Sequence, residues 1–271
     1  MKGVAPVPVR RSRQLVLLTV VSLLSLALLS GPAASATHRS HATKAAQLTV
    51  YAAASLTNVF PALAPSNKYS FAGSNALAAQ IKQGAPADVF ASANLTLPEQ
   101  LYEGGFCSKP VVFTRNTLVI VVPEKNSAGI KNIYDLTNPG VKVDIAAPGV
   151  PVGTYTQQIL ANMNLTAGVM KNVVSQETDV REVLSKVALG EADAGFVYST
   201  DAKTVPGQVK VIKVPAWAQP KVQYGICVVS RSADKSDAQA FVNLVLSRAG
   251  QKKLLSYGFL PLVKPAAKKK R

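Results

Sequence analysis

Five positions in this chain sit where a strand hands over to a helix, and such junctions can bind an anion with uncharged groups alone. Ser55 follows the strand-like run QLTVYA (47–52) and opens a short helical segment. Ser74 follows Tyr69 to Ala72 and opens a helix with Leu77 and Ile81 four residues apart. Val152, in Pro151-Val152-Gly153, starts a third helix, and Val180, after Asp179, lies in the first turn of a fourth. Tyr198 ends the run AGFVY (194–198). A helix start has N–H groups with no intrahelical acceptor and carries the positive end of the helix dipole. Several starts that converge make an anion site, and the hydroxyls of Ser55, Ser74 and Tyr198 add donors. The ordinary alternative is that each serine only caps its own helix.

Other chemistries find less support. The two histidines, His38 and His41, both lie near the start of the chain. The folded body therefore has no histidine for a catalytic triad, a general base or a metal ligand. No G-x-S-x-G elbow is present. A secreted hydrolase would need a carboxylate or lysine as its base, with Asp88 and Asp179 as candidates. The two cysteines cannot build a zinc ribbon. No cofactor is expected.

The elements that must position these residues alternate in type. Strands are expected over 47–52, 69–72 and 87–91, with helices between them, the second stopped by Gly84 and Pro86. The apolar run Thr117 to Val122 reads as a buried strand closed by Pro123. A second set follows: strands at 141–146, 173–175, 194–198 and 224–229, and a helix from Pro151. A further helix opens at Asp179, with Val180, Val183, Leu184 and Val187 on one face and Gly190 as its cap. Helices at 237–247 and 249–256 finish the body. This pattern predicts an α/β protein of two lobes, each a doubly wound, mostly parallel sheet, with strands crossing between lobes as a hinge. The expected division is 47–114 in lobe 1, 115–224 in lobe 2, and 225–263 returning to lobe 1. A cleft at the carboxyl ends of such strands is where helix starts converge.

The formal charge of +16 is unevenly spread over the 271 residues. Residues 1–36 hold four bases and no acid, and 264–271 (KPAAKKKR) hold five bases and no acid. The body, 37–263, keeps 21 bases against 14 acids. No basic stripe with interleaved aromatics is present, so no nucleic-acid partner is expected. Arg10, Arg11 and Arg13, the apolar run Leu15 to Leu29 and Ala34-Ser35-Ala36 form a secretory signal peptide over 1–36, cleaved after Ala36. An uncleaved anchor is the less favoured alternative, because the run is short for a spanning helix. Residues 37–46 read as a mobile N-terminus and 264–271 as a solvated basic tail. The mature chain is expected outside the cytoplasm. A Cys107–Cys227 disulfide is slightly favoured there, with two buried free thiols as the alternative.

Beyond these local signals, the segments LTVYAAASLTNVF (48–60), FAGSNALAAQIKQGAPADVFASA (71–93), NTLVIVVP (116–123), GVPVGTY (149–155), ETDVREVLSKVALGEADAGFVYSTDA (177–202) and YGFLP (257–261) are collinear with one family. They resemble the molybdate-binding protein of ABC transporters. The resemblance implies a two-lobed, monomeric, non-enzymatic periplasmic-type binding protein. It would hold a tetrahedral oxyanion, molybdate or tungstate, and pass it to a membrane permease. It places the family's ligand-binding donors on the hydroxyls of Ser55, Ser74 and Tyr198 and the backbone N–H groups of Val152 and Val180. Molybdenum would then be bound only as its oxyanion, by these same residues. Val152 stands where the family has alanine, and the segment between Ser55 and Ser74 is shortened and broken by Pro61 and Pro65, so a clipped first helix is expected. A buried dianion that is fully deprotonated needs donors and no carboxylate acceptor. Another oxyanion, such as sulfate or thiosulfate, is the runner-up ligand.

Overall fold

The computed structural model describes residues 46–262. The signal peptide, nearly all of 37–46 and the tail 264–271 lie outside the described residues. The chain opens with β1 (Thr49–Ala53), a 3-10 turn (Ala54–Leu56), α1 (Val59–Leu63), β2 (Lys68–Ala72), α2 (Ser74–Lys82), β3 (Val89–Ser92), α3 (Thr96–Glu103) and β4 (Val111–Arg115). It crosses at Asn116–Thr117 into β5 (Leu118–Pro123), β6 (Val143–Ala146), α4 (Pro151–Asn162), α5 (Thr166–Met170), β7 (Val173–Glu177), α6 (Val180–Leu189), β8 (Ala194–Tyr198), α7 (Ser199–Ala202) and β9 (Val209–Lys213). It then returns through residues 219–222 to β10 (Gln223–Val228), α8 (Lys235–Leu246) and α9 (Arg248–Ser256).

The strands form two five-stranded sheets, ordered β2-β1-β3-β10-β4 and β7-β6-β8-β5-β9. Each is parallel except for one strand. β10 runs antiparallel to both β3 and β4, and β5 antiparallel to both β8 and β9. These reversed strands are the first to follow each crossing, so the chain enters the other lobe against the direction of its neighbours. The first sheet is covered on both faces, as alternation along its strands requires. Phe90 and Cys227 face the cluster of Leu77, Ile81 and Leu101 from α2 and α3. Val89, Ala91 and Ile226 face the larger core with Phe60 of α1 and Phe241 of α8.

Local sequence explains the helix ends that matter. Asp179 caps α6, its Oδ1 accepting from the N–H groups of Arg181 (2.6 Å) and Glu182 (3.2 Å). Gly190 ends α6 in the left-handed conformation, at φ 77°. Pro151 occupies the first turn of α4, where its missing N–H costs nothing. Gly153 follows because α4 starts against the end of β6. A Cβ there would collide with the carbonyl oxygens of Ala146 and Ala147. The clipped first helix is also present, as a 3-10 turn followed by a five-residue α1 that contains Pro61.

The favoured Cys107–Cys227 disulfide is not formed. Both residues are buried free thiols. Cys107 sits opposite Val229 in an antiparallel bridge, two residues along from Cys227. The Cys107 Sγ donates to the Pro98 carbonyl at 3.5 Å. The thiol–thiol contact with Cys107 and burial push the Cys227 thiol far up, so it stays protonated.

Candidate functional site

Ser55, Ser74, Val152, Val180 and Tyr198 line one small, tightly closed pocket between the two sheets. Ala53, Ala54, Ala72, Gly73, Ala93, Val150, Pro151 and Asp179 complete its wall. Ser55 and Ser74 come from the first lobe, the other three predicted positions from the second. None of the five is more than 4 % exposed. Ser55 lies in the 3-10 turn after β1, and Ser74 is the first residue of α2 after β2. Val152 and Val180 are in the first turns of α4 and α6, where their N–H groups have no acceptor within the helix. Tyr198 is the last residue of β8. The ends of β1, β2 and β8 and four helical starts thus meet at one point, as the carboxyl-end rule for open α/β sheets requires.

The hydroxyls are held in different ways. Ser74 Oγ accepts from the Ala93 N–H at 3.1 Å, which leaves its proton free to donate. Ser55 Oγ and Tyr224 Oη are hydrogen-bonded at 2.9 Å. Tyr198 Oη is buried and has no hydrogen-bond partner among the described residues. Its ring packs edge-on to Tyr224 with centroids 5.6 Å apart, so the contact between the two tyrosines is aromatic. Burial raises both phenols well above their ordinary value, and both remain neutral donors at working pH.

Asp179 is the one charged residue in the wall. Its Oδ1 is committed to the cap of α6, and burial raises its pKa against those two N–H bonds. The sequence argument asked for a wall with no carboxylate. The carboxylate here is turned to its own helix start and accepts bonds that the helix needs.

The residues that support this wall were not among the predicted set. Tyr224 fixes Ser55, and Asn116 in the first crossing fixes Tyr224, with Nδ2 at 3.4 Å from its hydroxyl. The same Asn116 donates to Thr200 Oγ1 at 2.9 Å and accepts from Ser199 Oγ at 3.0 Å. Asp201, fully buried, accepts from the Tyr198 N–H at 3.3 Å and pairs with Arg181. Asn58 meets Arg181 across the lobes. The visible signal was modest: Asp201 and Arg181 fall inside the matched segment 177–202, and Asn116 begins the matched segment 116–123.

A family model described as "Bacterial extracellular solute-binding protein" matches residues 48–260. The chain belongs to that family. Among curated members, the molybdate-binding protein ModA of Mycobacterium tuberculosis is 37% identical over 225 residues, 79% of this chain and 85% of its own. ModA of Haemophilus influenzae is 37% identical over 232 residues, 79% of this chain and 90% of its own. Among solved structures, the periplasmic molybdate-binding protein of Azotobacter vinelandii matches with a TM-score of 0.70 at 23% identity, covering 81% of this chain and all of that one. The sulfate-binding protein SubI of M. tuberculosis has the same fold, with a TM-score of 0.71 at 20% identity over 80% of this chain and 87% of its own. As a solute-binding protein the chain is placed outside the cytoplasm by its family. No helix among the described residues is long and apolar enough to cross a membrane.

Proposed function

We propose that this chain is an extracytoplasmic receptor that captures molybdate, or tungstate, between its lobes and hands it to an ABC permease. The observation that carries the reading is the convergence of Ser55, Ser74, Val152, Val180 and Tyr198 on one pocket whose free groups are N–H and O–H donors. A dianion leaving water must recover its hydrogen bonds, and bonds to a charged ligand contribute about 1.5–3 kcal/mol each. The donors need no counter-charge, because the ligand keeps its own charge and the helix dipoles favour it. The relatives at 37% identity that carry the name molybdate-binding protein support this ligand over sulfate. A sulfate-binding relative stands at 26% identity. The chain acts as a monomeric carrier and not as a catalyst.

The deciding experiment is calorimetric titration of the mature chain with molybdate, tungstate and sulfate. The expected outcome is tight one-to-one binding of molybdate or tungstate and far weaker heat with sulfate. A sulfate preference would move the reading to the runner-up ligand, and silence with all three would end it.

A further inference from the structure

Behind the pocket lies an ion pair that lines no part of it. Asp201 is completely buried in α7. One of its oxygens accepts from the Tyr198 N–H, and the other lies 3.0 Å from Arg181 Nε. The second contact is an ion pair and not an aligned hydrogen bond, since neither atom has a bonded partner by geometry. Burial pushes Asp201 up to about 7 in spite of Arg181, so the guanidinium is what compensates this carboxylate. Without it, the carboxyl behind Tyr198 would be driven further toward its protonated form, and the pairing that fixes it would be lost.

The same guanidinium has two further contacts. Nη1 donates to Thr204 Oγ1 at 3.1 Å within the second lobe. Nη2 donates to Asn58 Oδ1 at 3.3 Å, and Asn58 belongs to the first lobe, three residues after Ser55. Arg181 itself directly follows Val180. The seam between lobes is tight a short way along: Gly73, just before Ser74, lies against the Thr178 carbonyl so closely that a Cβ would collide with it. The lobes therefore meet at two places around the start of α6, at Gly73 with Thr178 and at Asn58 with Arg181.

We propose that Arg181 is the closing latch of the two lobes, a positioning residue that holds Tyr198 through Asp201 and ties the start of α6 to Asn58 of the facing lobe. The geometry stands by itself; its role in ligand retention rests on the oxyanion-receptor reading above. The Asn58 bond exists only when the lobes meet, so it favours the closed form and leaves the open form untouched. A contact of that kind shifts the closing equilibrium and, through it, the lifetime of the bound ligand. A single side-chain hydrogen bond at a solvent-exposed rim predicts an effect of about two- to tenfold.

The test uses Asn58→Ala, which leaves the Arg181–Asp201 pair intact, and Arg181→Lys, which keeps the charge but not the fork. Arg181→Ala is avoided as the main variant because it strands a buried carboxylate. Molybdate dissociation is followed by stopped flow. Interlobe distance in the ligand-free chain is followed by spin labels at Lys82→Cys and Lys171→Cys, exposed sites at the ends of the lobes remote from the pocket. Asn58→Ala should dissociate about two- to tenfold faster, populate longer distances and keep the ligand-free melting temperature. Arg181→Lys, which also gives up the Thr204 bond and the Nε contact with Asp201, should dissociate at least as fast, and the double variant should be no faster than Arg181→Lys alone, because the Asn58 bond is already gone there. Additive effects, or unchanged dissociation and distances, would overturn the latch. If the parent chain binds no molybdate, the ligand reading fails on its own, and the ligand-free distances alone decide the latch: longer in Asn58→Ala supports it, unchanged rejects it.

Discussion

Replacing Tyr198 with phenylalanine should move affinity and stability in opposite directions. The Tyr198 hydroxyl is buried at the pocket wall without a partner among the described residues. In the ligand-free chain that orphaned group carries a cost of about 1–3 kcal/mol. Tyr198→Phe removes the cost and little else, since the ring still packs on Tyr224 and the Asp201 bond is to the backbone. At about 2–4 °C per kcal/mol for a chain of this size, the melting temperature should rise by roughly 2–12 °C. On the proposed reading the same hydroxyl would donate to a bound dianion, a bond of about 1.5–3 kcal/mol. Its loss should weaken molybdate binding about ten- to 150-fold, at 1.4 kcal/mol per decade. Calorimetry and thermal melting on one preparation read both numbers. Ser55→Ala is the contrasting control. Its hydroxyl already pairs with Tyr224, so it should lose affinity without gaining stability. A Tyr198→Phe protein with unchanged affinity and a lowered melting temperature would refute the assignment of this hydroxyl to the ligand.

Asp144 is fully buried in β6 with both carboxylate oxygens unpartnered, and burial first, then the charge of Glu177, pushes it up to about 7. Its folded form holds a proton that the unfolded chain releases near pH 4, so stability from this group falls as pH rises from about 4 to 7 and levels above. Asp144→Asn should therefore match the parent at pH 4 and melt higher at pH 8, with about 1–3 kcal/mol gained; equal melting points at pH 8 would contradict it. Gly153→Ala should push α4 away from the Ala146 and Ala147 carbonyls, costing about 1–3 kcal/mol by thermal melting and weakening binding through the displaced Val152 amide. Cys107 and Cys227 should resist a thiol reagent in the native chain and yield two thiols on denaturation without reductant, a result a disulfide would forbid.

The order of strands and helices was legible because its signals were strong and local. The run at 118–122 is continuously apolar, and the face of Val180, Val183, Leu184 and Val187 has helical spacing with a cap at each end. What escaped was short or lacked a period. α3 carries Pro98 within its first turn, β4 lies between Pro110 and the first crossing, and β9 (VKVIK) is a short edge strand whose Lys210 and Lys213 break its alternation. For the site, strand-to-helix junctions were readable and identified the five wall positions, while their supports were not. Asn116, Tyr224 and Asp201 act through contacts across 84 to 169 residues or through a buried pair, and nothing in local spacing announces such partners. The disulfide expectation failed for a related reason: two cysteines count as a pair in sequence, yet bridging depends on geometry that spacing does not contain.

The reversed strand β10 has a consequence for how the protein comes into being. It sits between β3 and β4, so the first sheet has a gap at its middle until residue 228 has emerged. Leu260 then pairs with Arg115 to seal the border of that sheet. A nascent chain with its first 115 residues free of the ribosome therefore owns three neighbouring strands and an unattached fourth, with no way to finish either face. Such a polypeptide cannot close its first sheet until synthesis is nearly over.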